Sequence, residues 1–222
     1  MKTYKGIIFD LDGTLLDTIN DLTDSVNDVM KIYGWKEYDS EACKMMVGNG
    51  FRKLIQRALP EEKQKDEMFL DEAVDQFSKA YQKRYLNKTI PYEGIFKLLG
   101  TLEEKGIKNC SKFQINVGDY TNALVNKYFS QFSWIAVYGE REREGIPKKP
   151  DPSAALEIAN HMNLPAEEVL YIGDSKTDME TGQNAKMDTI GVAWGFRGAE
   201  ELRENNATYI VEKPEAILEY VI

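Results

Sequence analysis

Short apolar runs recur along the chain at residues 4–9, 134–138, 169–172, 189–193 and 209–211, with helical patterns starting near Ser153 and Thr177 between the later ones. Runs this short and this apolar read as strands buried on both faces. Strands that alternate with helices imply a parallel sheet covered by helices on each side. Such a sheet takes ligands beyond the carboxyl ends of its strands, so the residues just after each run are the first candidates for a site.

One long stretch departs from this alternation. From about Asp17 to Leu86 the chain is rich in Asp, Glu, Lys and Met, and Leu22, Val26, Val29, Met30 and Tyr33 fall at helical spacing. It reads as helices only. Pro91 and Gly94 punctuate its end, and residues 95–105 resume a helical pattern closed by Gly106. The expected fold is α/β, a doubly wound parallel core of residues 1–16 and 88–222 interrupted early by an all-helical insert, residues 17–87.

Bulk properties narrow the partners. A chain of 222 residues can bury one core, or one core and a small accessory unit. A formal charge of -9 repels nucleic-acid phosphates, and no apolar run approaches the roughly 18 to 20 residues that span a bilayer. The first residues turn acidic too early for a signal peptide, so a cytoplasmic monomer or homodimer is expected, with no nucleic-acid or membrane partner. Cys43 and Cys110 lack neighbours at ligand spacing and read as free buried thiols. The only histidine, His161, reads as a helix-surface residue, so a general acid must be sought among carboxylates.

Two acidic segments follow the apolar runs. Asp10-Leu11-Asp12-Gly13-Thr14 comes after the first, and two-residue spacing at a strand end can aim both carboxylates into one cavity. Asp10 is placed to attack phosphorus as a carboxylate, and Asp12 to protonate the leaving oxygen and then deprotonate water. Gly173-Asp174-Ser175-Lys176-Thr177-Asp178 follows residues 169–172 and would bring Asp174 and Asp178 to the same place. Carboxylates so crowded beside a phosphate dianion would neutralise unless a cation joined them. Mg2+ fits, because it takes hard oxygen ligands together with substrate phosphate. Asp10 and Asp174 are the expected direct ligands, with the backbone oxygen of Asp12, and Asp178 direct or through water. Lys149, between the prolines of Ile-Pro-Lys-Lys-Pro-Asp-Pro, supplies a fixed positive charge; it is preferred to Lys148 because it directly precedes Pro150. Ser153 is expected to cap the next helix.

Each segment has an ordinary reading alone: an acidic turn, an N-capped helix, a solvated loop. Their order and placement carry the functional reading. DLDGTLLDT, KKPDP and GDSKTD resemble the first, third and fourth signatures of the haloacid dehalogenase superfamily, and the resemblance spans nearly the whole chain. It implies a Rossmann-like core, phosphorylation of Asp10, acid/base work by Asp12 and a helical insert that acts as a cap. Gly48-Asn49-Gly50-Phe51-Arg52, Pro91-Tyr92-Glu93-Gly94 and Val192-Ala193-Trp194-Gly195 are similar to the phosphoglycolate phosphatase-like branch. Gly50 and Arg52 then become candidates for substrate contact, whereas Trp194 and Phe196 read as packing residues. The second signature departs from the pattern: after Gly106-Ile107-Lys108 the hydroxyl is expected near Phe113 or Gln114, which leaves Ser111 and Asn116 as the nearest phosphate donors. The implied substrate is a small phosphorylated metabolite resembling phosphoglycolate. Alternatives are a phosphosugar mutase, a pyrophosphatase, or a weakly active regulatory binder.

Overall fold

Ile7, Ile8 and Phe9 are all fully buried in the computed structural model, which describes residues 2–112 and 118–221. Successive strand residues point to opposite faces, so a run buried at every position is covered on both sides. This run is strand β1 (Gly6–Phe9). The chain continues through β2 (Leu16–Asp17), helices α1 (Ile19–Ile32), α2 (Ser40–Lys44), α3 (Gly50–Ala58) and α4 (Glu67–Gln82), and β3 (Ile90–Pro91). It then alternates through α5 (Ile95–Glu104), β4 (Lys108–Lys112), α6 (Gly118–Phe129), β5 (Val137–Tyr138) and α7 (Ser153–Met162). The remainder is β6 (Val169–Gly173), α8 (Lys176–Asn184), β7 (Asp188–Val192), α9 (Gly198–Glu204), β8 (Tyr209–Val211) and α10 (Leu218–Val221).

Six strands form one sheet in the order β5-β4-β1-β6-β7-β8, and every neighbouring pair is parallel. The chain winds outward from β1 to β4 and β5, returns to β6 on the other side of β1, and winds out again to β8. This is the expected doubly wound α/β core. The reversal sets the topological switch point at β1, between β4 and β6, where a parallel sheet opens a crevice at its carboxyl edge. Ile8, Val169 and Tyr171 pack on one face against Ala155, Ile158, Ala159 and Met162 of α7.

Two local expectations are revised, and one segment that the sequence left open takes a definite form. The run at 134–138 contributes only Val137 and Tyr138 to the sheet. Lys108–Lys112 is a regular strand despite its polar sequence, because β1 and β5 flank it and pair with it: Gly6 faces Lys108, Phe9 faces Ser111, and Ser111 faces Val137. Ser153 does not cap α7. Pro152 holds that position, and the Ser153 amide instead donates to Asp151 Oδ1 at 2.8 Å.

The chain divides into two compact units, Met1–Leu16 with Pro91–Ile222, and Asp17–Ile90. The second unit is built from α1 to α4, with Phe51, Phe77 and Tyr81 in mutual ring contact at centroid distances of 4.6 to 5.8 Å. Lys88 and Thr89 belong with this unit for a definite reason. The Asp21 carboxylate on α1 is fully buried and accepts the amides of Lys88 and Thr89 and the Thr89 hydroxyl, at 2.8 to 3.1 Å. Asp21→Ala is expected to cost roughly 2 to 4 kcal/mol, since it strips a buried charged acceptor from three donors. Urea unfolding followed by a probe within residues 17–90 measures it, and a change below about 0.5 kcal/mol would remove Asp21 from this role.

Candidate active site

The switch point is where the two acidic segments meet. Asp10 directly follows β1 and Asp174 directly follows β6, and the Asp10 amide donates to the Ile172 carbonyl at 2.8 Å. Strand pairing therefore fixes the two carboxylates side by side. Asp178 lies in the first turn of α8, whose start is set by the same loop: the Ser175 amide and hydroxyl donate to Asp178 Oδ2 at 3.1 and 2.6 Å. Carboxylate oxygens of Asp10, Asp174 and Asp178 all lie within 4.8 Å of one another, and the three residues are buried. Asp12, two residues beyond Asp10, is also buried.

Glycines make room for this crowding. Gly13, at φ +80°, and Gly195 both press on Asp174, and a Cβ at either would overlap its side chain; one at Gly173 would overlap Asp178. The loop after β7 also contributes a backbone donor, since the Phe196 amide binds Asp174 Oδ2 at 2.6 Å. Trp194 donates from its indole nitrogen to the Thr14 carbonyl at 3.0 Å and so ties that loop to the turn after Asp12.

Lys149 supplies the positive charge. Its ammonium donates to Asp10 Oδ1 and to Asp178 Oδ1, the latter at 2.7 Å, and its side chain is only 6% exposed. Lys148 points elsewhere, to Glu140 and Glu142. Burial alone would push the Lys149 ammonium down, but the Asp10 and Asp178 carboxylates more than reverse this and hold it well above the usual lysine value. Burial pushes the Asp10 carboxyl up to about 7, against the pull of Lys149 and with the neighbouring Asp178 adding to the rise. Burial likewise raises Asp174 well above the carboxylate range, with Asp178 and Asp10 adding to it, while the Phe196 amide and Arg197 oppose it.

Among the described residues, three buried carboxyl groups thus crowd around the Lys149 ammonium, and ionising all of them leaves an excess of negative charge. A cluster of hard oxygen donors in that condition is suited to a divalent metal ion. Both Asp178 oxygens already have donors, Lys149 on one and Ser175 on the other. Asp10, Asp174 and Asp178 together are the residues that could hold an ion, and Asp178 also binds the Lys149 ammonium.

The remaining candidates fall elsewhere. Gly50 begins α3 with φ +80°, and Arg52 on the same helix is paired to Glu67 and Asp71 of the helical unit. Ser111 lies in β4 level with Phe9, the residue before Asp10. Asn116 lies outside the described residues, as do Phe113 and Gln114. Cys43 is a free, buried thiol, and His161 is exposed on α7. The contributions of Gly195 and the Phe196 amide were missed in the sequence, although their signal was present: both follow the predicted strand at 189–193.

A parallel sheet whose switch point carries two acidic loops and a buried lysine defines a hydrolytic α/β enzyme of one recognised kind. A family model described as haloacid dehalogenase-like hydrolase matches residues 7–192, and the chain belongs to that family. Similarity then extends over the full length. A phosphoglycolate phosphatase of Psychrobacter arcticus is 32% identical over 97% of this chain and 95% of its own. Another, from Pseudomonas syringae pv. tomato, is 28% identical over 95% of this chain and 77% of its own. A crystal structure from Lactobacillus delbrueckii subsp. bulgaricus, provisionally assigned as a phosphoglycolate phosphatase, superposes with a TM-score of 0.89 at 31% identity. It covers 100% of this chain and 99% of that one. Within the family the chain is phosphoglycolate phosphatase-like, an enzyme of the phosphatase kind. Among the described residues, no helix is long and apolar enough to cross a membrane.

Proposed function

We propose that the enzyme is a Mg2+-dependent phosphatase of small phosphate monoesters that works through an aspartyl-phosphate on Asp10, with phosphoglycolate as the first substrate to test. The observation that carries this reading is the grouping of Asp10, Asp174 and Asp178 around Lys149. Asp10 attacks phosphorus with a carboxylate oxygen while Lys149, bonded to that same carboxylate, keeps it oriented and ionised. Asp12 gives a proton to the departing alkoxide and later takes one from the water that releases phosphate. Asp10 and Asp174 would hold the metal, with Asp178 direct or through water, and a bound Mg2+ would offset negative charge on the substrate phosphate. Ser111 and Asn116 are the candidate donors to the phosphoryl group. Gly50 and Arg52 are the candidate contacts from the helical unit, and Arg52 would first have to leave Glu67 and Asp71.

Phosphate release from p-nitrophenyl phosphate and phosphoglycolate, measured with Mg2+ and with EDTA, tests the reading. Turnover that requires Mg2+ is the expected result; equal rates in EDTA, or none on any phosphate monoester, would refute it.

The raised carboxyls give a second test. Asp10 titrates near 3.8 when unfolded and near 7 in the metal-free fold, so between those values the native state holds a proton that the unfolded chain has released. Metal-free stability should therefore fall as pH rises from about 5 to 8, by a few kcal/mol if Asp10 acts alone. Mg2+ competes with that proton, so it should raise Tm more at pH 8 than at pH 5. Paired melts in EDTA and Mg2+ measure both trends, and a metal-free Tm that climbs between pH 5 and 8 would contradict them.

A further inference from the structure

A buried lysine must be held by its backbone as well as by its ion pairs, because an extended, flexible side chain gives up rotamer entropy to stay in one place. Both neighbours of Lys149 are gripped by side chains that the reaction does not use. On the carboxyl side, the Asn184 side-chain amide donates to the Pro150 carbonyl at 2.9 Å. Asn184 is the last residue of α8, and Asp178 in the first turn of that helix binds the Lys149 ammonium. One rigid helix, roughly 9 Å between these two points, thus meets the lysine at its tip and at its root. On the amino side, Lys148 is paired to Glu140, whose side chain is 10% exposed, and to the more exposed Glu142. The turn between the grips is closed by the Asp151 amide donating to the Lys148 carbonyl at 2.9 Å.

We propose that Asn184 and Glu140 are positioning residues for Lys149, bracing the loop from both sides so that its ammonium stays between Asp10 and Asp178. An isolated surface ion pair or hydrogen bond adds little to stability, so a merely structural role would leave kinetics nearly untouched. A displaced catalytic group, by contrast, costs rate steeply.

Four variants separate these cases. Asn184→Asp keeps the shape and removes the donor, Asn184→Gln offers a donor on a longer arm, Glu140→Gln removes the charge of the less exposed partner of Lys148, and Glu142→Gln is the more exposed control. Two readouts are needed: kcat and KM with p-nitrophenyl phosphate, and labelling of Lys149 by an amine reagent in the native protein, read by peptide mass spectrometry. Asn184→Asp and Glu140→Gln should lower kcat about tenfold or more, leave KM within about threefold, and speed labelling of Lys149. Asn184→Gln should recover part of the rate, and Glu142→Gln should match wild type. Unchanged kcat and labelling in Asn184→Asp and Glu140→Gln would overturn the proposal, as would a rate loss without faster labelling. The kinetic arm rests on the proposed function. If wild type released no phosphate that function would fail, and the labelling arm alone would still decide whether these residues hold the lysine.

Discussion

Replacing Asp10 by asparagine is expected to lower phosphate release by a thousandfold or more while leaving the protein folded. The amide keeps the size of the side chain and loses the nucleophilic carboxylate, so no covalent phosphoryl intermediate can form through it. Stability should move the other way from activity. The metal-free site crowds three buried carboxyl groups around one ammonium; burial, with Asp178 adding to it, pushes Asp10 up to about 7, and an amide at position 10 carries no charge to bury. At pH 8 in EDTA the variant should melt no lower than wild type, and its Tm should respond less to Mg2+. Turnover equal to that of wild type would take Asp10 out of the mechanism. A large loss of Tm would mean that the carboxylate is there for the fold.

The converse variant removes the cation. Lys149→Met keeps the apolar stem and leaves Asp10 and Asp178 facing one another without the ammonium that both now bind. Uncompensated buried charge of this kind costs about 3 to 5 kcal/mol, so a large drop in Tm is expected in EDTA at pH 8. The drop should shrink at pH 5, where Asp10 can take up a proton, and Mg2+ should restore part of it at pH 8. Activity should fall at least a hundredfold even where Mg2+ has restored the fold, because Lys149 also orients the attacking carboxylate. A Tm within about 1 °C of wild type in EDTA at pH 8 would show that the lysine is not offsetting the acidic cluster.

How legible this was in the sequence depended on whether each element owes its form to its own residues. β1 and β6 were readable because a strand buried on both faces is apolar almost throughout, as Ile7, Ile8, Phe9, Leu170 and Ile172 are, and β7 was readable from its apolar end, Ile190 and Val192. β4 was not, since Lys-Asn-Cys-Ser-Lys has no strand pattern of its own and is a strand because of the neighbours it pairs with. The same distinction runs through the site. Asp10, Asp174, Asp178 and Lys149 could be found because each stands beside a strand end or a proline-bounded turn. Asn184 and Glu140 could not, because they meet the Lys149 loop only through the tertiary fold. Arg52 shows the limit most clearly: its partners Glu67 and Asp71 lie 15 and 19 residues away on another helix, at no spacing a sequence pattern would flag.

The claim on which the rest depends is that Asp10 itself carries the phosphoryl group. An aspartyl-phosphate survives acid quenching and is reduced by borohydride to homoserine, which peptide mass spectrometry locates by residue. Enzyme quenched during turnover with Mg2+ and substrate should yield homoserine at position 10, and enzyme quenched without substrate should not. Sustained turnover with position 10 unmodified, or homoserine at another aspartate, would contradict the account.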